Sequence, residues 1–332
     1  MSPSRLLGAL ALAGLVLIPL LPLGPAREYF LHVLIQVMIW GFVGTAWSLM
    51  GRFGLTSLGH GAFLGIGAYG TVLLWNFWRV TPWVGLPVAM AGAVVLAAVL
   101  GYPCFRFRVV GHYFALVTLA LGEVIRLILT AERNVTGGSL GMTLARTEGS
   151  SLWALQFAAK AVWYYVALGV WLLGLLVWAR LDRSMTRRAM EAIGEDEAAA
   201  AAVGIRVTRF KLGITLASAG LTAVGGMLYA QYLTYLNPET VSGVEISLRI
   251  VFAAIVGGMY SLLGPTLGTA LTTALSEYLR VAFGVRFIGL AETIYGLCLI
   301  LFIVFLPDGI WGGIGRLWRR WRGTLVVAPA PR

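Results

Sequence analysis

WVGLPVAMAGAVVLAAVLGYPCF, residues 83–105, runs without a single charged side chain. As a helix rising 1.5 Å per residue it would reach about 35 Å, enough to cross a hydrocarbon core of about 30 Å. The stretch therefore reads as a membrane-crossing helix. The rest of the chain has the same character: its 332 residues are 59% hydrophobic and 12% charged, with a mean hydropathy of +0.86. Soluble domains carry about a quarter charged residues, so an ordinary soluble domain is excluded. The 42 glycines and 12 tryptophans agree, because glycine lets membrane helices approach closely and tryptophan collects at the headgroup level.

Outward from 83–105, further apolar stretches lie at roughly 6–23, 30–50, 60–78, 112–130, 152–179, 211–236, 246–263, 265–283 and 287–306. The expectation is an all-α integral membrane protein, a polytopic helical bundle of about ten (8–10) transmembrane helices. Residues 6–23 admit a second reading as a signal peptide, since Arg5 precedes the run and Pro25-Ala26 lies near a possible cleavage point. The length of the run and the missing Ala-X-Ala favour a retained span.

Basic residues test this layout. With ten spans and both termini inside, sixteen of the 25 fall on inner segments: Arg5, Arg52, Arg106, Arg108, seven between Arg180 and Lys211, and Arg316, Arg319, Arg320, Arg322 and Arg332. Only Arg27, Arg79, Arg133, Arg146 and Arg286 fall outside. That bias places the 180–211 loop and a basic tail, 313–332, in the cytoplasm. The net charge of +11 is then a matter of topology and anionic lipid rather than of nucleic acid.

Soluble-enzyme motifs fail on context. GIGAYG at 65–70 has the dinucleotide-fingerprint spacing, but no Asp or Glu occurs between Glu28 and Glu123 to hold a ribose. Gly61 and Gly65 instead form a small-xxx-small pair. The only lysines, Lys160 and Lys211, follow no phosphate-loop glycine, so the chain has no P-loop with which to hydrolyse ATP. Cys104 and Cys298 read as lone thiols, and His32, His60 and His112 are too scattered for a metal cluster. Glu123, Glu277 and Glu292 are the embedded carboxylates and do not form an obvious proton relay. A stand-alone secondary carrier is the main alternative from another class and a redox-complex subunit a weaker one. Inverted repeats with broken helices would favour the carrier.

Residues 180–211 form the one long polar inner segment. Ser184 is placed to cap a short helix running to Gly194. A second helix then begins at Glu195, Asp196 and Glu197, three carboxylates at its positive end, continues through Ala198, Ala199 and Ala200, and stops at Gly204. Its body has so little side chain that a groove in another protein can take it at little entropic cost, with Ala200 expected to enter that groove. A simple connector remains the other reading.

This segment, EDEAAAAAVGIRVTRFKL, resembles the cytoplasmic E-A-A-x-x-x-G loop of bacterial ABC-importer permeases, in particular the LivM-like permease subunits of the branched-chain (hydrophobic) amino-acid importers. The family's glutamate position holds Ala198, and Glu197 lies one residue early. GLTSLGHGAFLGIGAYG (54–70), GHYFALVTLALGEVIRLIL (111–129) with Tyr113, Thr118, Glu123 and Arg126, NVTGGSLGM (134–142), IVGGMYSLLGPTLGTAL (255–271) and the Pro307, Gly309, Gly312 ending are similar to the family's other blocks. Tyr260 stands where the family has glycine, which leaves the packing there open.

The resemblance implies one permease domain over 1–332, forming half of a translocation pathway in the inner membrane. It also implies a second related permease, two ATPase subunits that bind ATP and Mg, and a periplasmic binding protein. The chain itself would be no enzyme and hold no cofactor. Branched-chain amino acids are the default cargo, with urea, short amides or aromatic acids the alternatives.

The blocks also carry local readings. Glu123 and Arg126, three apart on one helical face, are expected to neutralise each other or else to meet substrate. Ser57 and His60 either line a polar pathway or join helices by hydrogen bonds. Thr136, Gly137 and Gly138 offer flexible backbone for a gate or re-entrant element, or form an ordinary outer loop.

Overall fold

The computed structural model describes residues 10, 12–20, 24–283, 290–305, 309, 310 and 312. Its principal helices are α1 (Arg27–Gly51), α2 (His60–Trp78), α3 (Pro82–Arg106), α4 (His112–Ala131), α5 (Lys160–Asp182), α6 (Met185–Glu195), α7 (Glu197–Ala202), α8 (Val207–Leu233), α9 (Val244–Gly257), α10 (Gly264–Phe283) and α11 (Leu290–Phe305). Among the described residues, α1, α3, α4, α5, α8 and the stretch Pro238–Gly257 are long and apolar enough to cross a membrane. This is an all-α polytopic membrane fold.

Local chemistry marks the ends. Pro82 opens α3, where its missing N–H costs nothing. α2 closes on Arg79 in the left-handed region at φ 53°. A one-turn helix, Pro238–Val241, is capped by Asn237, whose side chain accepts from the Thr240 N–H at 2.8 Å.

α1 and α8 form the centre, with 78% and 67% of their most apolar windows buried, whereas α3 and α4 are rim helices at 28% and 17%. Phe42, Trp47, Leu64, Tyr69 and Tyr164 are fully buried in one apolar cluster drawn from α1, α2 and α5. The small-xxx-small expectation holds: a Cβ on Gly61 would lie 2.6 Å from the Gly243 carbonyl, and one on Gly65 would lie 3.0 Å from the Ser242 Cβ. α2 and α8 approach still more closely, for a Cβ on Gly67 would stand 2.0 Å from the Ala223 carbonyl and one on Gly226 2.1 Å from that of Leu64.

Two expected spans shift. Residues 152–159 do not continue α5 but form a platform over the helix ends: Ser151 and Gln156 bridge, and the Leu152 and Trp153 carbonyls accept from the Trp83 indole and the Thr81 hydroxyl. The 246–263 span ends at Gly257, beyond which Gly258 at φ 108° turns the chain toward α10. Tyr260 stands in that turn, 64% exposed, where its bulk displaces nothing. Of the 6–23 stretch, residues 12–17 are helical and Ile18–Leu20 form a 3-10 turn. Pro307, the tail 313–332 and the side chain of Glu292 lie outside the description.

Candidate coupling segment and pathway residues

α6 and α7 lie at the end of the bundle where α1 and α5 finish. Arg52 Nη1 donates to Asp182 Oδ1 at 3.0 Å, and the other oxygen of Asp182 accepts from Arg187 Nη1 at 2.9 Å. Arg187 Nε then reaches Glu191 at 2.7 Å, and the Arg52 guanidinium lies 4.3 Å from the Trp178 ring centroid. Burial draws the Arg52 pKa below its ordinary value, with Asp182 acting against it. The hydrogen bond to Glu191, with the Asp182 charge next in effect, raises that of Arg187. This network ties the loop to two long helices; Arg187 and Glu191 are one turn apart on α6, but Arg52 and Asp182 lie 130 positions apart, too far for spacing to have disclosed their bond.

α7 has defined ends. The Asp196 side chain accepts from Ala198 N–H at 2.8 Å and Ala199 N–H at 3.0 Å, an N-cap. At the other end Gly204 (φ 91°) donates to the Ala201 carbonyl, and Ile205 N–H reaches back to the Ala200 carbonyl, both at 3.0 Å. That pair of bonds is a Schellman closure, which needs the left-handed residue that glycine supplies. Ser184, expected as a cap for α6, does not act as one; its hydroxyl donates back to the Leu181 carbonyl at 2.7 Å.

Ala200 corrects a second expectation. It is 4% exposed and packs with Met50, Cys104, Phe105, Met190 and Ile193, so it faces its own bundle and is covered from any partner. The exposed face of α7 carries Ala198, Ala199, Ala201 and Ala202, with Glu195, Asp196 and Gly204 beside it. Lys211 Nζ holds Glu197 Oε2 at 2.6 Å. This pair gives the early glutamate a physical role: from the first residue of α7 it anchors the segment to α8.

His60 is fully buried, with Nε2 2.8 Å from Ser218 Oγ and Nδ1 3.1 Å from Ser57 Oγ. Ser218 spends its proton on the Ala46 carbonyl at 2.7 Å, so Nε2 of His60 donates to Ser218 and Nδ1 accepts from Ser57. Both ring nitrogens are engaged in joining α1, α2 and α8, the helix-joining alternative of the two weighed for Ser57 and His60. Thr118 is also buried, accepting from Leu58 N–H at 3.0 Å and donating to the Ala115 carbonyl at 2.9 Å. Tyr113 projects from α4, 75% exposed.

Arg126 Nε lies 3.0 Å from both carboxylate oxygens of Glu123, and its Nη2 bonds the same group. The neutralising pair is thus present. Glu277 pairs with Arg280 at 2.6 Å. Thr136, Gly137 and Gly138 form a tight turn: the Thr136 hydroxyl donates to the Glu132 carbonyl at 2.9 Å and accepts from Gly138 N–H at 3.2 Å, and a Cβ on Gly137 would lie 1.9 Å from the Gly141 carbonyl. Beyond it β1 (Met142–Thr143) pairs antiparallel with β2 (Tyr235–Leu236).

Residues 29–306 match the family model described as "Branched-chain amino acid transport system / permease component". The chain belongs to this permease family. It is 30% identical over 285 residues to the high-affinity branched-chain amino acid transport system permease protein LivM of Escherichia coli (strain K12), an alignment covering 79% of this permease and 65% of that protein. To LivH of the same organism it is 25% identical over 309 residues, covering 86% and 97%. The permease thus spans about two thirds of the length of the LivM relative. Among solved structures, PsaBC from Streptococcus pneumoniae in complex with Fab aligns with a TM-score of 0.42 and 17% identity, over 82% of this permease and 88% of that chain.

Proposed function

We propose that this permease is the transmembrane subunit of an ATP-driven importer for branched-chain or related hydrophobic amino acids. It forms half of the pathway beside a second, related permease, and it couples to one of two ATPase subunits through the exposed face of α7. ATP and Mg belong to those ATPase subunits, and a periplasmic binding protein delivers cargo at the opposite face. The chain crosses the inner membrane about ten times, with both termini and α6–α7 in the cytoplasm. The chain's similarity to both LivM and LivH supports a paired assembly.

The observation that carries the coupling role is α7 itself: a helix capped at both ends, bare of large side chains on its outer face and fastened to α8 by the Glu197–Lys211 pair. Force applied to such a segment passes into α8, and through Asp182 and Arg52 into α5 and α1. A connector needs none of these ties. Binding-protein docking on one side and ATPase closure on the other would then bias one two-state bundle.

The test is Ala198→Trp or Ala202→Trp, both on the exposed face. Each variant is expected to insert and fold normally while losing ATPase co-purification and amino-acid uptake together. Normal retention and uptake in both would refute the coupling role. Uphill uptake by this subunit alone, on a proton gradient in liposomes, would refute the ATP-driven reading.

A further inference from the structure

The same end of the bundle holds a cavity of about 460 Å³ between the close of α3 and the coupling segment, lined by Tyr102, Arg106, Arg108, Glu197, Arg206 and Arg209 among others. Among the described residues Glu197 is its one carboxylate, and that is taken by Lys211 at 2.6 Å. None of the four arginine side chains has a hydrogen-bond or ion-pair partner among the described residues. Four guanidinium groups gathered without a counter-charge attract an anion, and their planar forks suit phosphate oxygens.

A second observation selects the anion's source. Val84, Val88, Val95, Val99 and Tyr102 are 54%, 54%, 60%, 67% and 55% exposed, and their spacing puts them on one face of α3. This apolar strip runs down the rim helix and ends at the cavity, at Tyr102. We propose that the cavity seats the phosphate headgroup of an anionic phospholipid whose acyl chains lie along the α3 strip. Because Glu197, Ala201 and Arg206 belong to the coupling segment and its exit, the lipid bridges that segment to the bundle. The inference rests on the proposed placement of this end at the inner membrane surface; Ala201 lies on the cavity side of α7, which leaves Ala198, Ala199 and Ala202 to meet the ATPase.

The test uses the delipidated permease in detergent with its natural partner subunit, titrated with phosphatidylglycerol, phosphatidylcholine or inorganic phosphate, and read by native mass spectrometry and thermal shift. Phosphatidylglycerol is expected to bind and raise the melting temperature, with the other two much weaker. Arg106→Gln/Arg206→Gln, at exposed positions, is expected to fold normally and bind phosphatidylglycerol roughly thirtyfold more weakly. Equal binding of the two lipids, or unchanged binding by the double variant, overturns the site. An equal response to inorganic phosphate makes it a free-anion site and overturns the lipid assignment. Normal lipid binding with loss of the ATPase makes the arginines a protein contact, which also overturns it. Lost lipid binding with the ATPase retained supports the site and leaves the importer reading intact.

Discussion

Glu197→Ala removes the partner of a lysine whose side chain is only 6% exposed, while the glutamate itself is 28% exposed. That asymmetry sets the expected energies. Without the carboxylate the Lys211 ammonium is left without a partner beside the cavity that Glu197 lines, a loss of about 3 kcal/mol, the lower end for a broken buried pair. Losing an acid from the first turn of α7 adds about 0.3–1 kcal/mol through the helix dipole. Lys211→Met instead strands a group that water can reach, and about 1–3 kcal/mol is expected. The double variant should recover most of the larger loss. Cys104, 7% exposed, sits in the apolar cluster that also holds Ala200, so it reports on the opening of α7. With Cys298 replaced by alanine, the rate of maleimide labelling at Cys104 should rise about a hundredfold or more in Glu197→Ala, since about 3 kcal/mol is roughly two powers of ten in open population. The rise should be smaller in Lys211→Met. Equal rates in the two single variants, or effects that simply multiply in the double, would refute the reasoning.

Glu123→Ala and Arg126→Ala should each lower membrane expression and the double variant recover part of it; with side chains 36% and 26% exposed the coupling is about 1 kcal/mol, and strict additivity by fluorescence-detected size exclusion would remove the pairing. Gly67→Val should abolish folded protein, because its Cβ would meet the Ala223 backbone at 2.0 Å and backbone cannot step aside. Gly213→Val, with nothing within 4 Å, should fold as the parent does, and equal yields would discount the close crossing. Ala200→Trp should lower the melting temperature of the permease on its own, in contrast to the outer-face tryptophan variants; an unchanged melting temperature would mean that α7 does not pack as described. Gly204→Val costs about 1–2 kcal/mol in the left-handed turn with open space around it, so it should leave the bundle folded and lower uptake.

What the chain's composition and spacing determined was whatever depends on contiguous residues. Uncharged runs such as 83–105 had to be helices in lipid, since no other open segment satisfies its backbone there. Gly204 marked the end of α7 because a left-handed cap is local, whereas the start moved from the expected Glu195 to Glu197, since Glu195 closes α6 and Asp196 turns its side chain onto the next N–H groups as the cap. Glu123 with Arg126 were paired by a three-residue offset on one helix face. Gly61 and Gly65 announced a close crossing, though not which helix would meet them. The three-dimensional packing decided everything that depended on direction. Ala200 and its neighbours Ala198, Ala199 and Ala201 are the same residue type in one run, so their composition could not say which faces inward; the apolar cluster under α7 did. His60 read as a pathway residue or a joint until Ser218, 158 positions away, took its second nitrogen. The Arg52–Asp182 tie crosses three intervening long helices, α2, α3 and α4, and the Glu197–Lys211 tie one connection. No local rule sets either geometry, because a charge finds its partner by distance in space, and that distance exists only once the helices have packed.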